Sequence, residues 1–264
     1  MFGTIFIGDK MKIIKMKSGK YKIKLEDGRE IITYDEIILK YNIILKKELD
    51  EDTILKINKD TLNYVAYDKS LKYITTKLRS ELEIEKYLNK LGVDEILKKN
   101  IIQKLKDNKL IDDEKYTIAF IIDKINLSNI GPNKIKKELL EHNIDLDIIE
   151  KELNKYSDNI FEEKIDKYIA KKIKNQKYST FILKQKIIND LINNGYSLDM
   201  IKGRLDNVQF DNSYIIEKDY NKIKKRLSNK FDEKELDKQI KNKLILKGYK
   251  IEEINQIIDK ENWN

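Results

Sequence analysis

Few residues of this 264-residue chain have the types and spacing that catalysis or metal binding requires. The adjacent carboxylates of Asp112 and Asp113 could hold a metal ion, but no further ligands follow at suitable spacing. An acidic pair in front of a helical pattern is more typical of a helix cap, which is the interpretation we prefer. His142, the single histidine, lies at a predicted helix stop without a serine or acidic partner, and Ser80 belongs to a capping pattern. We therefore expect no enzyme, no metal and no cofactor.

Composition excludes several further classes of protein. The chain has no cysteine, which rules out disulfides, thiol catalysis and cysteine-ligated zinc, and suits a reducing cytoplasm. Its glycines are isolated, so no phosphate-cradling loop is present. No run of eighteen apolar residues occurs, and Met1–Lys20 alternates lysine with isoleucine. We expect a cytoplasmic protein without a membrane segment or signal peptide.

The net charge of +8 favours a polyanionic partner such as nucleic acid. Two basic runs fall on predicted helices among apolar residues, which places the charges together on one side of each helix. A solvated helix face is the default interpretation, whereas the alternative is a surface that neutralises phosphates without reading bases. On that alternative, the candidate DNA-binding residues are Lys171, Lys172, Lys174, Lys224, Lys225 and Arg226.

Residues 113–159 contain 10 acidic and 7 basic side chains, and this is the only acidic part of the chain. The acids next to Ile144, Ile149 and Leu153 should project outward from a packed helix and be open to a protein partner. These candidate partner-binding residues are Asp145, Asp147, Glu150 and Glu152. Arg79 is a further candidate: it ends a predicted helix, where a cation suits the helix dipole, but it could equally reach phosphate or a partner carboxylate.

The elements that must position these residues recur along the chain. Gly92, Asn143, Gly195 and Gly248 lie 51, 52 and 53 residues apart, and both residue types tolerate the left-handed conformation just past a helix end. After the last three stops, apolar residues return at the same offsets. A fixed period with a fixed internal pattern predicts a repeat array, in which each unit of three helices packs on its neighbours.

Helix starts are predicted from capping residues and the proline. They are the Ser80–Glu83 capping box, Asp112-Asp113, Gly131-Pro132, Thr180 and the Asp232–Glu235 capping box, and a further helix is predicted over about Asp94–Asp107. The distance from cap to stop predicts that the middle helices of units three and four are about one turn longer than those of units one and two.

The N-terminal residues show the pattern of β-strands and not that of the helical repeats. Lys12–Met16, Tyr21–Leu25 and Arg29–Thr33 alternate or are β-branched, Glu26-Asp27-Gly28 is a hairpin signal, and Tyr34–Tyr41 is a short helix. The helical period begins near Thr61. We expect a mainly α fold, an elongated curved array of three-helix repeats behind a small β-rich module. The predicted divisions are residues 1–60 for the module and 61–112, 113–159, 160–212 and 213–264 for the repeats.

Four motifs in this order and spacing resemble the RecX family of bacterial regulatory proteins, which modulate RecA recombinase. They are Arg79-Ser80-Glu81-x-Glu83-Ile84-x-x-Tyr87-Leu88, Leu110-Ile111-Asp112-Asp113-x-x-Tyr116, Gly131-x-x-x-Ile135-x-x-x-Leu139 with Asn143-Ile144, and the N-terminal Tyr21-Lys22-Ile23-x-Leu25-x-Asp27-Gly28. The N-terminal motif is similar to the leader of longer, four-unit members. Asn143 replaces a glycine of the family pattern, and lysines stand at many positions where arginine is usual.

The resemblance implies a non-enzymatic regulator, an inhibitor in our interpretation, that binds along the groove of the RecA filament. It implies that filament extension, ATP hydrolysis and coprotease activity are limited, with single- or double-stranded DNA as a further partner of a monomeric protein. The alternative is a basic helical-repeat protein that binds DNA and has no recombinase partner. That alternative needs only the lysines and should be strongly sensitive to salt.

Overall fold

The computed structural model describes residues 3–7, 10–17 and 19–262, and their contacts divide the chain into two compact units, Met1–Tyr116 and Thr117–Asn264. The mainly helical fold behind a small antiparallel sheet is confirmed. The first residues of the predicted module, 1 and 2, and the last of the predicted fourth repeat, 263 and 264, lie outside the described ranges. The division into four three-helix repeats stays a prediction.

The first unit begins with a four-stranded antiparallel meander in the order β1-β2-β3-β4. Its strands are β1 (Gly3–Ile7), β2 (Met11–Lys15), β3 (Lys20–Leu25) and β4 (Glu30–Tyr34). Ile13 pairs with Ile23, which pairs with Ile31, so the alternating isoleucines form one buried face and the lysines between them stay on the other. The three predicted strands are confirmed, and β1 was not predicted.

A short helix and a long one cover the buried face of the sheet. Helix α1 (Asp35–Lys40) buries Ile37 and Ile38, and a 3-10 turn follows at Ile43–Leu45. Helix α2 (Glu51–Thr75) begins about ten residues before the predicted start near Thr61, because the Asp50 carboxylate caps it by accepting from the Thr53 N–H at 2.7 Å. Its first half adds Ile54 and Ile57 to the core of the sheet.

The second half of α2 packs on two further helices of the first unit, α3 (Glu81–Lys90) and α4 (Glu95–Asp107). Ser80 is fully buried and forms the predicted capping box: its Oγ accepts from the Glu83 N–H, and the Glu83 carboxylate accepts from the Ser80 N–H. The helix predicted over about Asp94–Asp107 is α4, and Asp94 is its cap. The boundary between the two units falls within α5 (Asp113–Leu127).

Up to residue 262, the last that the structure describes, the second unit continues with eight more helices. They are α6 (Pro132–Glu141), α7 (Leu146–Leu153), α8 (Asp158–Lys174), α9 (Thr180–Asn193), α10 (Leu198–Asp206), α11 (Ser213–Leu227), α12 (Glu233–Leu246) and α13 (Ile251–Asn262). Helices α9 and α12 each have 14 residues, whereas α3 and α6 have 10, so the predicted extra turn is confirmed. Thr180 was wrongly predicted as the cap of α9; Ser179 is the cap, and its Oγ accepts from the Ile182 N–H.

All four predicted stops have left-handed backbone conformations. The φ angles are +71° at Gly92, +59° at Asn143, +87° at Gly195 and +79° at Gly248. At Gly195, the Tyr196 N–H donates back to the Leu191 carbonyl at 3.1 Å, which is the bond that closes a Schellman turn.

Two of these stops contact the start of another helix within the second unit. At the start of α6, the Gly131 N–H donates to the Asn194 carbonyl at 2.7 Å and the Asn133 N–H donates to the Gly195 carbonyl at 3.0 Å. At the start of α9, the Ser179 Oγ donates to the Lys247 carbonyl at 2.5 Å. The carbonyl end of one helix therefore faces the amide end of another, an arrangement that pairs opposite ends of two helix dipoles.

Candidate functional site

The first basic cluster lies in the last turn of α8, and only part of it is free to bind a partner. Lys171 and Lys174 are exposed. Lys172 is half-buried, and its Nζ donates to Asp190 Oδ2 at 2.9 Å, an oxygen that also accepts from the Tyr168 hydroxyl at 2.6 Å. These two hydrogen bonds, that from Tyr168 first, lower the pKa of Asp190, and the bond to Asp190 raises the pKa of Lys172. Lys172 is therefore held by the fold.

The second basic cluster occupies the last turn of α11. Lys225 and Arg226 are exposed, whereas Lys224 is half-buried with its Nζ 5.4 Å from the centroid of the buried Tyr220 ring. Cations in a last turn also stabilise the helix dipole, so a structural role accompanies any contact with phosphate. Helix α8 packs with α9 and α10, and α11 packs with α12 and α13. Each cluster thus ends the first helix of its own three-helix group.

The acidic candidates on and beside α7 fall into three environments. Asp145 caps the helix by accepting from the Asp147 N–H at 2.8 Å, and Asp147 itself is exposed. Glu150 is exposed and accepts from Lys136 Nζ at 2.6 Å. These three carboxylates lie at the surface, as predicted.

The expectation that Glu152 projects outward is wrong, because its side chain is only 2% exposed. It lies three residues after the fully buried Ile149 and so shares the inward face of the helix. Lys155 Nζ lies 2.6 Å from both carboxylate oxygens, and Lys151 Nζ is 3.9 Å from one of them. The charge is buried but paired, which suits a structural role.

Arg79 lies between two elements of the first unit. Its side chain is 14% exposed, and its guanidinium stacks 3.9 Å from the centroid of Tyr73, which in turn stacks on Tyr87. Its Nη1 donates to the Glu83 carboxylate at 3.0 Å, so the arginine also steadies the capping box of α3. These contacts account for Arg79 structurally, and a contact with a partner stays a prediction.

Comparison with known proteins shows the family to which the chain belongs. No family model matches the chain. The regulatory protein RecX of Streptococcus agalactiae is 29% identical over 255 residues, which cover 94% of this chain and 98% of the relative, and RecX of Oceanobacillus iheyensis is 28% identical over 259 residues. A crystal structure of the regulatory protein RecX aligns with a TM-score of 0.64 at 26% identity, over 75% of this chain and 98% of that one.

The crystal structure of RecX from Lactobacillus salivarius is 30% identical, with a TM-score of 0.52 over 55% of this chain and 95% of that one. The chain belongs to the RecX family. The matched RecX relatives are named regulatory proteins, and the fold of a RecX crystal structure covers 75% of this chain. A binding surface is therefore the kind of site to look for in this RecX-family chain.

The adjacent carboxylates of Asp112 and Asp113 serve a local role at the start of α5. Asp112 Oδ1 accepts from the Lys115 N–H at 3.0 Å and caps α5, as predicted. Burial, helped by the charge of Glu81, raises the pKa of Asp113. Within the described ranges, no group of three or more His, Asp or Glu side chains could hold a metal ion, and no helix is long and apolar enough to cross a membrane.

Sequence reasoning missed one surface feature of this RecX-family protein. Tyr178, just before α9, is 46% exposed, and Lys186 Nζ lies 4.7 Å from its ring centroid. Lys177 and Lys247 line the same small depression beside the ring. An exposed aromatic ring among lysines is the arrangement on which unpaired bases stack. The signal was the Lys177-Tyr178 pair in front of a helix start.

Proposed function

We propose that this RecX-family chain regulates RecA recombinase by binding the recombinase and its DNA filament. The observation that carries the proposal is full-length similarity to named RecX regulatory proteins, 94% of this chain against 98% of the relative. In our proposal the protein is an inhibitor: it limits filament extension and, through it, ATP hydrolysis and coprotease activity.

The surfaces suggest how a protein and a nucleic acid could be bound by different parts of the chain. The exposed carboxylates of Asp147 and Glu150 are candidates for contact with the recombinase. The exposed cations of Lys171, Lys174, Lys225 and Arg226 are candidates for contact with the phosphates of its DNA. We propose these two sets as the binding residues because their side chains are exposed, whereas Lys172 is half-buried against Asp190 and Glu152 is buried. The exposed Glu150 carboxylate also accepts from Lys136, an ion pair that a partner would have to displace.

Charge reversal tests the proposal. Changing Lys171, Lys174, Lys225 and Arg226 to glutamate should abolish binding to free DNA, while leaving detectable association with DNA-free recombinase. Each phosphate contact contributes about 0.9 to the fall of log affinity with log salt on duplex DNA, so four contacts should give the unmodified protein a slope whose magnitude is at least about 3.6. Fluorescence anisotropy at two salt concentrations and co-sedimentation measure the two effects.

The matched control changes Asp147 and Glu150 to lysine. This variant should associate less with recombinase and should bind DNA as well as, or better than, the unmodified protein. Asp145 and Glu152 are left unchanged because one caps α7 and the other is buried.

The second candidate function is DNA binding without a recombinase partner. The exposed Tyr178 ring beside Lys177 and Lys186 favours it, because base stacking and phosphate neutralisation together suffice to bind a single strand. If the cation reversal removed every interaction and the acid reversal removed none, this candidate would replace the first.

A further inference from the structure

Tyr178 and two lysines beside it form an exposed surface at the start of α9. The tyrosine is 46% exposed, and Lys186 Nζ lies 4.7 Å from the centroid of its ring. Lys177 and Lys186 are exposed, and neither forms an ion pair within the described ranges. Asp190, one turn after Lys186 on the same helix, is already bound to Lys172. Both lysines can therefore turn towards an anion that lies beside the ring.

One carboxylate, that of Asp219 in α11, lines the small depression beside the ring. It accepts from Lys247 Nζ at 2.9 Å and from the Tyr249 hydroxyl at 2.8 Å. The negative charge of Asp219 is thus matched by the positive charge of Lys247, which lines the same depression. The charges of Lys177 and Lys186 are left over, so the surface around the ring is positive.

A second exposed ring borders the turn that ends α12. Phe181 is 59% exposed, and its Cδ1 would lie 3.1 Å from a Cβ on Gly248. Tyr178 lies three residues before Phe181 and shares the depression with Lys247, the residue before Gly248. Two large aromatic side chains are therefore exposed at one turn, although burial would stabilise each of them. Clustered exposed rings of this kind mark a surface that binds something outside the fold.

Helix α11 extends the positive surface away from the depression. Lys222 and Arg226 follow Asp219 by three and seven residues, which places all three on one side of the helix. Both cations are exposed, and Arg226 lies about 10 Å from Asp219 along the helix axis. Arg226 is already a candidate for contact with phosphates, so the ring of Tyr178 and the basic cluster of α11 lie along one path.

We infer that Tyr178 stacks on an unpaired base of single-stranded DNA, while Lys177 and Lys186 bind the phosphates next to that base. The strand continues along α11 past Lys222 to Arg226. Lys186 leaves the ring when a base arrives, because an exposed contact between a cation and a ring is weaker than the stacking of a base. The inference rests on the proposed contact with DNA and deepens it, because the site selects single strands over duplexes.

The chemistry of this surface favours an unpaired base over other occupants. In a duplex the bases are stacked on each other, so only the phosphates would meet the lysines. A carboxylate-rich peptide would pair with the lysines but would leave both rings exposed. A cationic ligand would suit the rings, but the lysines would repel it. Each unit of a single strand supplies both an aromatic face and a negative charge.

The full-length chain is tested with three fluorescein-labelled probes of about 12 nucleotides, which are single-stranded DNA, the same strand without bases, and a duplex. Tyr178→Ala removes the ring, and Tyr178→Phe keeps the ring without the hydroxyl. The matched control is Tyr214→Ala, which removes a residue that is 74% exposed outside the depression. Circular dichroism verifies that each variant is folded, and fluorescence anisotropy at two salt concentrations gives the affinities.

We expect Tyr178→Ala to weaken binding to the single strand by about 5- to 150-fold, and to change binding to the base-free strand and the duplex by less than about twofold. The slope of log affinity against log salt should equal that of the unmodified protein, because no phosphate contact is lost. Tyr178→Phe and Tyr214→Ala should bind the single strand within about twofold of the unmodified protein.

Equal losses on all three probes, or no loss on the single strand, would overturn the inference, and so would an absence of single-strand binding up to about 1 mM. If Tyr178→Ala bound the single strand normally but lost association with DNA-free recombinase, the rings would belong to a protein interface and the inference would be wrong. Failure of the proposed recombinase function appears separately, as unchanged ATP hydrolysis, because the DNA probes contain no recombinase.

Discussion

Replacing Gly131 by alanine isolates the close approach between the start of α6 and the stop after α9. The φ of Gly131 is −89°, which alanine adopts without strain, so any loss of stability beyond the preference of an N-cap for glycine over alanine must come from contact. The added Cβ would lie 2.6 Å from both the carbon and the oxygen of the Gly195 carbonyl and 2.7 Å from the Tyr196 nitrogen. All three are backbone atoms, which cannot move aside as the end of a flexible side chain does.

The expected cost follows from what the two segments lose when they separate. Two backbone hydrogen bonds, at 2.7 and 3.0 Å, contribute about 0.5–1.5 kcal/mol each. Forced repacking around an added methyl group costs about 1–3 kcal/mol. We therefore expect Gly131→Ala to lower the free energy of unfolding by about 2–6 kcal/mol.

Gly203 in α10 provides the matched control. It is an exposed helical glycine, and no described atom lies within 4 Å of its Cβ position. Gly203→Ala should raise the free energy of unfolding by about 0.4–1 kcal/mol, since alanine is the better helix former. Urea unfolding followed by far-ultraviolet circular dichroism measures both variants. If Gly131→Ala remained within about 0.5 kcal/mol of the unmodified protein, the close approach and its two hydrogen bonds would be wrong.

Three further predictions concern caps and buried charge. Ser80→Ala should lower the melting temperature by an amount that corresponds to about 1 kcal/mol and leave recombinase association intact, and a folded variant that lost association would give Ser80 a functional role. Burial raises the pKa of Glu83, but the Ser80 N–H and the Arg79 guanidinium outweigh it and hold that pKa below the usual 4.5. The stability that comes from this lowered pKa is present above pH 4.5 and lost on acidification. Glu83→Gln should therefore lower the free energy of unfolding by less at about pH 3 than at about pH 5, as measured by urea unfolding. Equal losses at the two pH values would show that the charge of Glu83 does not stabilise the fold. Glu152→Lys should lower the free energy of unfolding by about 3–5 kcal/mol, whereas Glu150→Lys should change it by less than about 0.5 kcal/mol; similar denaturation midpoints for both would place Glu152 at the surface.

Local chemistry explains why so much of the helical pattern could be predicted. A stop such as Gly195 and a cap such as Ser80 are determined by neighbours within a few residues, so their signals are complete in the sequence. The start of α2 was missed for a different reason. Ile57 packs on the sheet and Ala66 on α3 and α4, and nine residues at about 100° each place them on opposite sides of the helix. No single apolar stripe therefore runs along α2.

The candidate sites were harder to predict because exposure depends on distant contacts. Lys171 and Lys172 are neighbours with the same charge, but only the second meets Asp190 of another helix. Glu152 follows two exposed acids in a polar pattern, and its burial depends on how α7 packs against other helices. The approach of Gly131 to Gly195 joins positions 64 residues apart, so no local signal could indicate it.

The proposed regulation of RecA recombinase is tested most directly by adding the purified protein to preformed filaments of RecA on single-stranded DNA while ATP hydrolysis is followed. We predict that hydrolysis falls as the protein is added and reaches a plateau by stoichiometric amounts. The variant with Asp147→Lys and Glu150→Lys should require more protein for the same fall. Unchanged hydrolysis at stoichiometric amounts of the unmodified protein would contradict the proposed inhibition of RecA recombinase.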